Sequence, residues 1–115
     1  MLKDDAIRLQ HMLEASRKAI LSAQGRKRSD LDQDEVWMLG LVKCIEIAGE
    51  AAAHVSEETR KRHSQIPWTQ IVAMRNRLVH VYFDMDRDQV WKAVTVDMPI
   101  LLVELEKILV KQPGA

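Results

Sequence analysis

Cysteine occurs once, as Cys44, in a chain of 115 residues. An intramolecular disulfide is therefore excluded, and a free thiol buried in the core is the expected use of Cys44. Proline (three) and glycine (four) are scarce. The many tight turns of an all-β fold would need more of both. Aromatic residues make up only 4% of the chain, while the apolar share is 47%. Leu, Ala, Val, Ile and Met carry that share, a mixture that suits packed helices better than a β-sandwich. Neither sign of charge is in excess, with 17 basic and 17 acidic residues. That balance argues against a protein that coats nucleic acid by bulk charge, and it leaves local clusters open. Long apolar runs are also missing: no stretch approaches the roughly 20 residues of a membrane span. Lys3, Asp4, Asp5 and Arg8 break up the start of the chain, so no signal sequence is expected and a cytoplasmic location follows. At this length a single domain, 1–115, is expected, burying roughly two thirds of its unfolded surface. Internal repeats and low-complexity segments are not visible.

What is present is helical periodicity. Residues from about 3 to 24 repeat apolar positions every three or four: Leu2, Ala6, Leu9, Leu13, Ser16 and Ile20, widened by Met12, Ala19 and Ala23. Gly25 stands where a helix would stop. Arg26, Lys27 and Arg28 follow, either a solvated turn or a contact for phosphate or an acidic partner. Asp32 with Glu35 reads as a capping box for a second helix that runs to His54 or Val55. That helix is apolar nearly all round, so it is expected to be central or to lie in an interface. Its small residues, among them Gly40, Ala48, Gly49 and Ala51, allow another helix close approach. Glu46, Glu50 and His54 form a row at four-residue steps. The row is either a surface stripe or a device by which Glu50 orients a residue of the next helix.

Ser56 is a candidate cap for a short helix through Glu57 to Arg62. The group Arg60-Lys61-Arg62-His63 is the densest basic patch, a solvated face or a phosphate contact. A third main helix is expected over 67–80, opened by Pro67, then a loop over 81–85. Asp86 with Gln89 reads as a further capping box. The last helix would bury Val90, Val94, Met98, Leu101, Leu105 and Ile108, with Trp91 and Leu102 alongside. Pro99 should kink or split it, and Gln112 to Ala115 should fray. The sum is an all-α, up-and-down bundle of four main helices plus one short helix.

The third helix carries the richest chemistry. Arg75-Asn76-Arg77-Leu78-Val79-His80-Val81-Tyr82 places Arg, Asn, His and Tyr within one short run. Asn76 and His80, four apart, share a helix face, as do Arg75 and Tyr82, seven apart. Arg75 and His80 would stand about 140° apart on a straight helix. They reach one substrate if the helix ends near His80 or if a second copy completes the site. By spacing alone Arg75 could instead pair with a carboxylate, and His80 could cap the helix C-terminus. Tyr82 could be a half-buried ring with a wet hydroxyl.

The pattern Arg-x-x-x-x-His-x-Tyr, with Asn after the Arg, resembles the signature of HEPN ribonucleases. It is closest to the HepT-like toxins of bacterial and archaeal toxin–antitoxin pairs. Ile47 to Ala52, Ile66-Pro67-Trp68, and Asp86 to Trp91 with Pro99 resemble the flanking segments of that family in order. Ala73 stands where many relatives have Gly. Arg77 stands where they often have an apolar residue, which bears on substrate grip or partner choice. The resemblance implies a HEPN-like bundle and a metal-independent endoribonuclease with no cofactor. Arg75 and His80 would be catalytic and Asn76 in support, and Glu50 would join them if its row of four-residue steps faces the third helix. It implies a homodimer and a nucleotidyltransferase antitoxin that silences the nuclease by placing AMP on Tyr82.

The chemistry suits those residue types. RNA cleavage without a metal needs a base for the 2′-hydroxyl proton and a cation for the phosphorane. Imidazole exchanges protons near neutrality, and guanidinium stays charged and grips phosphate through two donors. Asn76 would bond the phosphate or hold the imidazole. Arg77, Arg60, Lys61 and Arg62 are candidate RNA contacts. One His supplies one proton-transfer group, so a two-fold dimer that pairs two Arg75 and two His80 residues is a physical expectation as well. A di-metal bundle would want Glu-x-x-His on two helices, which is absent here. The rival reading is a non-catalytic helical module that binds a nucleotide or a protein.

Overall fold

Helix α1, Lys3–Ala23, begins with Asp4 and Asp5 in its first turn, where the helix dipole favours negative charge. The structure, a computed structural model, describes residues 1–80 and 86–110, and of Val79 and His80 the backbone alone. Ala6, Leu9, Met12, Leu13, Ser16 and Ala19 are buried along one face of α1, as their spacing predicts, whereas Leu2 is exposed. Gly25 follows the helix with φ of 76°, a left-handed conformation that glycine adopts without steric penalty.

The expected cap at Asp32 is corrected by the structure. A short helix α2, Asp30–Gln33, precedes α3, Glu35–Ala53, and Asp34 is the residue that caps α3, accepting from Trp37 N–H at 3.0 Å. Asp32 is engaged elsewhere, pairing with Arg28 and Arg87. Arg26 pairs with Asp34 and lies 4.2 Å from the centre of the Trp37 ring, and Arg28 also pairs with Asp88. Arg26 and Arg28 of the basic triplet thus tie the α1–α3 connection together. Cys44 is only partly buried at the edge of the core, and burial pushes its thiol pKa up.

Helix α4, Glu57–Arg62, is capped by Ser56, whose Oγ accepts from Thr59 N–H at 3.3 Å. The side chain of Asp5 reaches across from α1 and accepts three bonds there: from Ser56 N–H at 2.9 Å, Ser56 Oγ at 2.6 Å and Thr59 Oγ1 at 2.6 Å. Asp5 is 2% exposed, so this carboxylate is a buried joint between α1 and α4. Arg60 closes the C-terminus of α3 by donating to the carbonyls of Ala52, Ala53 and Val55. Four last-turn carbonyls of any helix lack partners within it, and a guanidinium fork satisfies several at once.

Helix α5, Trp68–His80, follows Pro67, whose carbonyl accepts from Ile71 N–H. The Trp68 ring is buried, and its Nε1 donates to the carbonyl of His63. The last stretch is one continuous helical run: α6, Arg87–Lys92, a π-helical turn, Ala93–Asp97, and α7, Met98–Val110. Asp86 caps it, accepting from Asp88 and Gln89 N–H. Pro99 was expected to kink or split this helix. The wider π turn immediately before it takes up the irregularity instead, with Met98 N–H reaching back to the carbonyl of Ala93.

α1 packs against α3 and α7, and α3 packs against α5. Two buried clusters fill the interior. One gathers Leu41, Val42, Ile45, Leu78, Val90 and Val94, and the other Leu9, Met12, Ala52, Ile66, Leu101 and Leu105. The described residues contain no strand, and the fold is the all-α, HEPN-like bundle that the sequence leads one to expect, with α2 as an additional short helix.

Candidate active site

Helix α5 packs closely on α3 at Gly49. A Cβ placed there would overlap Arg75 Cβ and lie 2.8 Å from Arg75 Cγ. Glycine at this position therefore lets the stem of Arg75 lie flat on α3. The guanidinium then meets the next residue of α3: Arg75 Nη2 is 3.6 Å from Glu50 Oε2. One turn further along, His54 Nε2 is 3.2 Å from Glu50 Oε1. A single carboxylate thus bridges Arg75 and His54, each to a different oxygen.

The two partners differ in exposure. The Arg75 side chain is 24% exposed and that of Glu50 59%. Arg75 Nε is shut off from solvent and has no hydrogen-bond partner among the described residues. The outer guanidinium nitrogens carry one ion pair among the described residues, to Glu50, and it is through them that an anion in the groove would meet Arg75. Arg75, Glu50 and His54 all line one groove of about 500 Å³ between α1 and α3. Its other wall is α1, through Asp4, Ile7, Arg8 and His11, and Lys43, Glu46 and Ile47 continue the α3 side. Among the described residues no group of three or more His, Cys, Asp or Glu side chains gathers as a metal-ligand set.

Asn76 and Arg77 are exposed on α5. Arg77 faces a second groove of about 490 Å³, between α5 and the last helix, which Met74, Lys92, Asp97 and Met98 also line. Lys61 and Arg62 sit on the exposed side of α4 in ion pairs with Glu57 and Glu58. His80 is the final residue of α5, its side chain lying outside the described residues, as does Tyr82.

Sequence reasoning picked out Glu50 but not Arg8, His11 or Lys43 as groove residues. The signal was present as spacing. Asp4, Arg8 and His11 on α1, and Lys43, Glu46, Glu50 and His54 on α3, each repeat at three or four residues, which puts them on one helix face.

The family model described as "Ribonuclease HepT-like" matches residues 11–108 of this chain. The chain belongs to that family. Among relatives of this HepT-like ribonuclease, "Putative RNase TTE0752" of Caldanaerobacter subterraneus subsp. tengcongensis is 32% identical over 90% of the chain and 93% of the relative. "Probable ribonuclease HepT" of Thermococcus cleftensis is 33% identical over 65% of the chain and 68% of the relative. "Putative RNase MJ1380" of Methanocaldococcus jannaschii is 28% identical over 85% of the chain and 90% of the relative. No solved structure gives a significant match. The match to the HepT-like family spans α3 and α5, so Gly49, Glu50 and Arg75 fall inside it. No described helix is long and apolar enough to cross a membrane.

Proposed function

We propose that this protein is a metal-independent endoribonuclease acting as the toxin of a cytoplasmic toxin–antitoxin pair. The observation that carries the reading is Arg75, held at the groove by Glu50 and lodged on Gly49, within a chain of the HepT-like ribonuclease family. The names of the relatives point to the same substrate class. Arg75 clamps the scissile phosphate and stabilises the charge that builds on the phosphorane. His80, five residues on, takes the 2′-hydroxyl proton. Asn76 bonds the phosphate or steadies the imidazole, and Glu50 orients Arg75. A homodimer brings a second Arg75 and His80 to the same RNA strand. Arg77, Lys61 and Arg62 contact flanking phosphates, whereas Arg60, expected from the sequence to join them, has its guanidinium engaged on the α3 carbonyls instead.

Control falls to Tyr82, two residues beyond His80. A nucleotidyltransferase antitoxin places AMP on its phenolic oxygen, setting phosphate and base over the Arg75 cleft. Digestion of total RNA tests the reading. The wild type should cleave in EDTA, and His80→Ala should not. Tyr82→Phe should remain toxic in cells that express the antitoxin. An RNA left intact by the wild type with and without divalent metal would leave only a binding module.

A further inference from the structure

The two ends of the Arg75 side chain are held with unequal firmness. The stem is seated on Gly49. The guanidinium has one ion pair among the described residues, with Glu50 at 3.6 Å, and Glu50 is itself 59% exposed. The terminal torsion of a glutamate is broad, so a carboxylate with a single partner at that distance turns easily. Here it has a second partner. We infer that His54 is a positioning residue for Arg75 and acts through Glu50, whose carboxylate it holds in the orientation that meets the guanidinium.

The inference rests on the ribonuclease reading, in which Arg75 meets the phosphate, and on the geometry of the chain Arg75–Glu50–His54. His54 Nε2 lies 3.2 Å from Glu50 Oε1, while Arg75 Nη2 lies against the other oxygen, Oε2. Two partners on two oxygens set the plane of a carboxylate, as one partner does not. A carboxylate only accepts, so the imidazole meets it with an N–H on Nε2. His54 itself need not touch RNA, because only the Arg75 end of the chain faces the phosphate.

The place of His54 in the fold suits that task. It is the C-cap of α3, one turn beyond Glu50, and helical side chains lean back towards the N-terminus, over the preceding turn. The backbone that carries the ring is pinned. His54 N–H donates to the carbonyls of Ala51 and Ala52, and Arg60 donates to those of Ala52 and Ala53. No other cation takes Glu50 among the described residues: Lys43, in the same groove, pairs with Glu46 at 3.8 Å.

The test separates the N–H of the imidazole from its bulk. His54→Leu fills much of the same space without a donor, and His54→Gln keeps a donor that reaches a carboxylate one turn back. Single-turnover RNA cleavage by His54→Leu should fall by about three- to tenfold, at most the lower end of what losing an orienting partner costs. KM should stay within about twofold, because the guanidinium is still present and its aim matters chiefly in the transition state. His54→Gln should return to within about twofold of the wild-type rate, since the hydrogen bond to Glu50 is restored. In a Glu50→Ala background the same two substitutions should have no further effect, the sign of residues that act through one another. A wild-type rate in His54→Leu, a His54→Gln protein as slow as His54→Leu, or an equal loss with Glu50 absent would each overturn the assignment and leave the ribonuclease reading intact. A second readout needs no RNA: rotation about the Arg75 Cζ–Nε bond, followed by NMR, should be faster in His54→Leu than in the wild type or His54→Gln. Equal rotation in all three would overturn the assignment too. If the wild type cleaves no RNA, the ribonuclease reading fails on its own, and the NMR comparison still decides whether His54 positions Arg75.

Discussion

Two of the carboxylates that tie helices together in this molecule do it in opposite ways. Asp5 is buried, accepts three hydrogen bonds and joins α1 to α4. Glu50 is exposed, makes one hydrogen bond and one longer ion pair, and joins α3 to α5. The first is fully satisfied in a dry site, where removing a partner leaves an expensive orphan. The second sits in water beside an arginine with a spare buried donor, a site that holds its groups in place without exhausting them. The contrast predicts that stability rests on the first carboxylate and chemistry on the second, and that each of the two can be changed with little effect on what the other does.

The largest effect should come from the open side of that comparison. In the proposed reaction Arg75→Ala removes the charge that meets the phosphorane, and turnover should fall by about 10³-fold, read by single-turnover RNA cleavage. RNA affinity should drop far less, because the lost interaction acts chiefly in the transition state. Gly49→Ala should come next. The added methyl drives into the stem of Arg75, so the variant should lose about 1–3 kcal/mol by chemical denaturation and most of its activity.

Those residues mark how far the sequence could be read. Helix periods, the caps at Ser56 and Asp86, and the buried faces of α1 and the last helix are local properties, and they were legible. The cap of α3 was displaced from Asp32 to Asp34 because Asp32 is claimed by Arg28 and Arg87, the latter some 55 residues away in sequence. Pro99 marked an irregular place in the last helix, but no residue pattern announces that the irregularity takes the form of a π turn upstream of it. Asp5 read as an ordinary first-turn acid because its partners, Ser56 and Thr59, lie beyond α3. At the site, Arg75 could be named from the family pattern and Glu50 from its row of four-residue steps. That Gly49 is the seat of Arg75, and that His54 shares its carboxylate, required the packing of α5 on α3.

On the closed side, Asp5→Ala should cost about 2–3 kcal/mol, since it strands the hydroxyls of Ser56 and Thr59 and the N–H of Ser56. Cleavage by the remaining folded protein at low temperature should match the wild type. The same joint gives an acid limb. Burial alone would raise the Asp5 pKa, but the bonds from Ser56 and Thr59 outweigh it and hold the carboxyl below its usual value. A depressed folded pKa stabilises above the unfolded value, near about 3.9, and that stabilisation drains away as pH falls through the folded one. Asp5→Asn should flatten this limb in denaturation midpoints measured below pH 4. His63 acts at higher pH. Burial and then Arg62 hold its pKa down, so protonation disfavours the fold as pH drops below the ordinary imidazole range.

The smallest effect on stability should belong to Glu50→Gln. The side chain is more than half exposed, its ion pair with Arg75 is 3.6 Å long, and solvent screens both. Pairs of that kind contribute little, so the denaturation midpoint should move by less than about 0.5 kcal/mol. Cleavage should nonetheless fall by roughly tenfold, the lower end of what losing an orienting partner costs a catalytic group. The amide still accepts through one oxygen, so it can hold Arg75 or His54 but not both as carboxylate partners. Paired with Asp5→Asn, the two variants make a crossed comparison of the same chemical change. One should lose stability and keep its rate, and the other should keep stability and lose its rate. A Glu50→Gln protein that unfolds as easily as Asp5→Asn, or that cleaves as fast as the wild type, would break the distinction between a carboxylate that holds the bundle and one that serves the site.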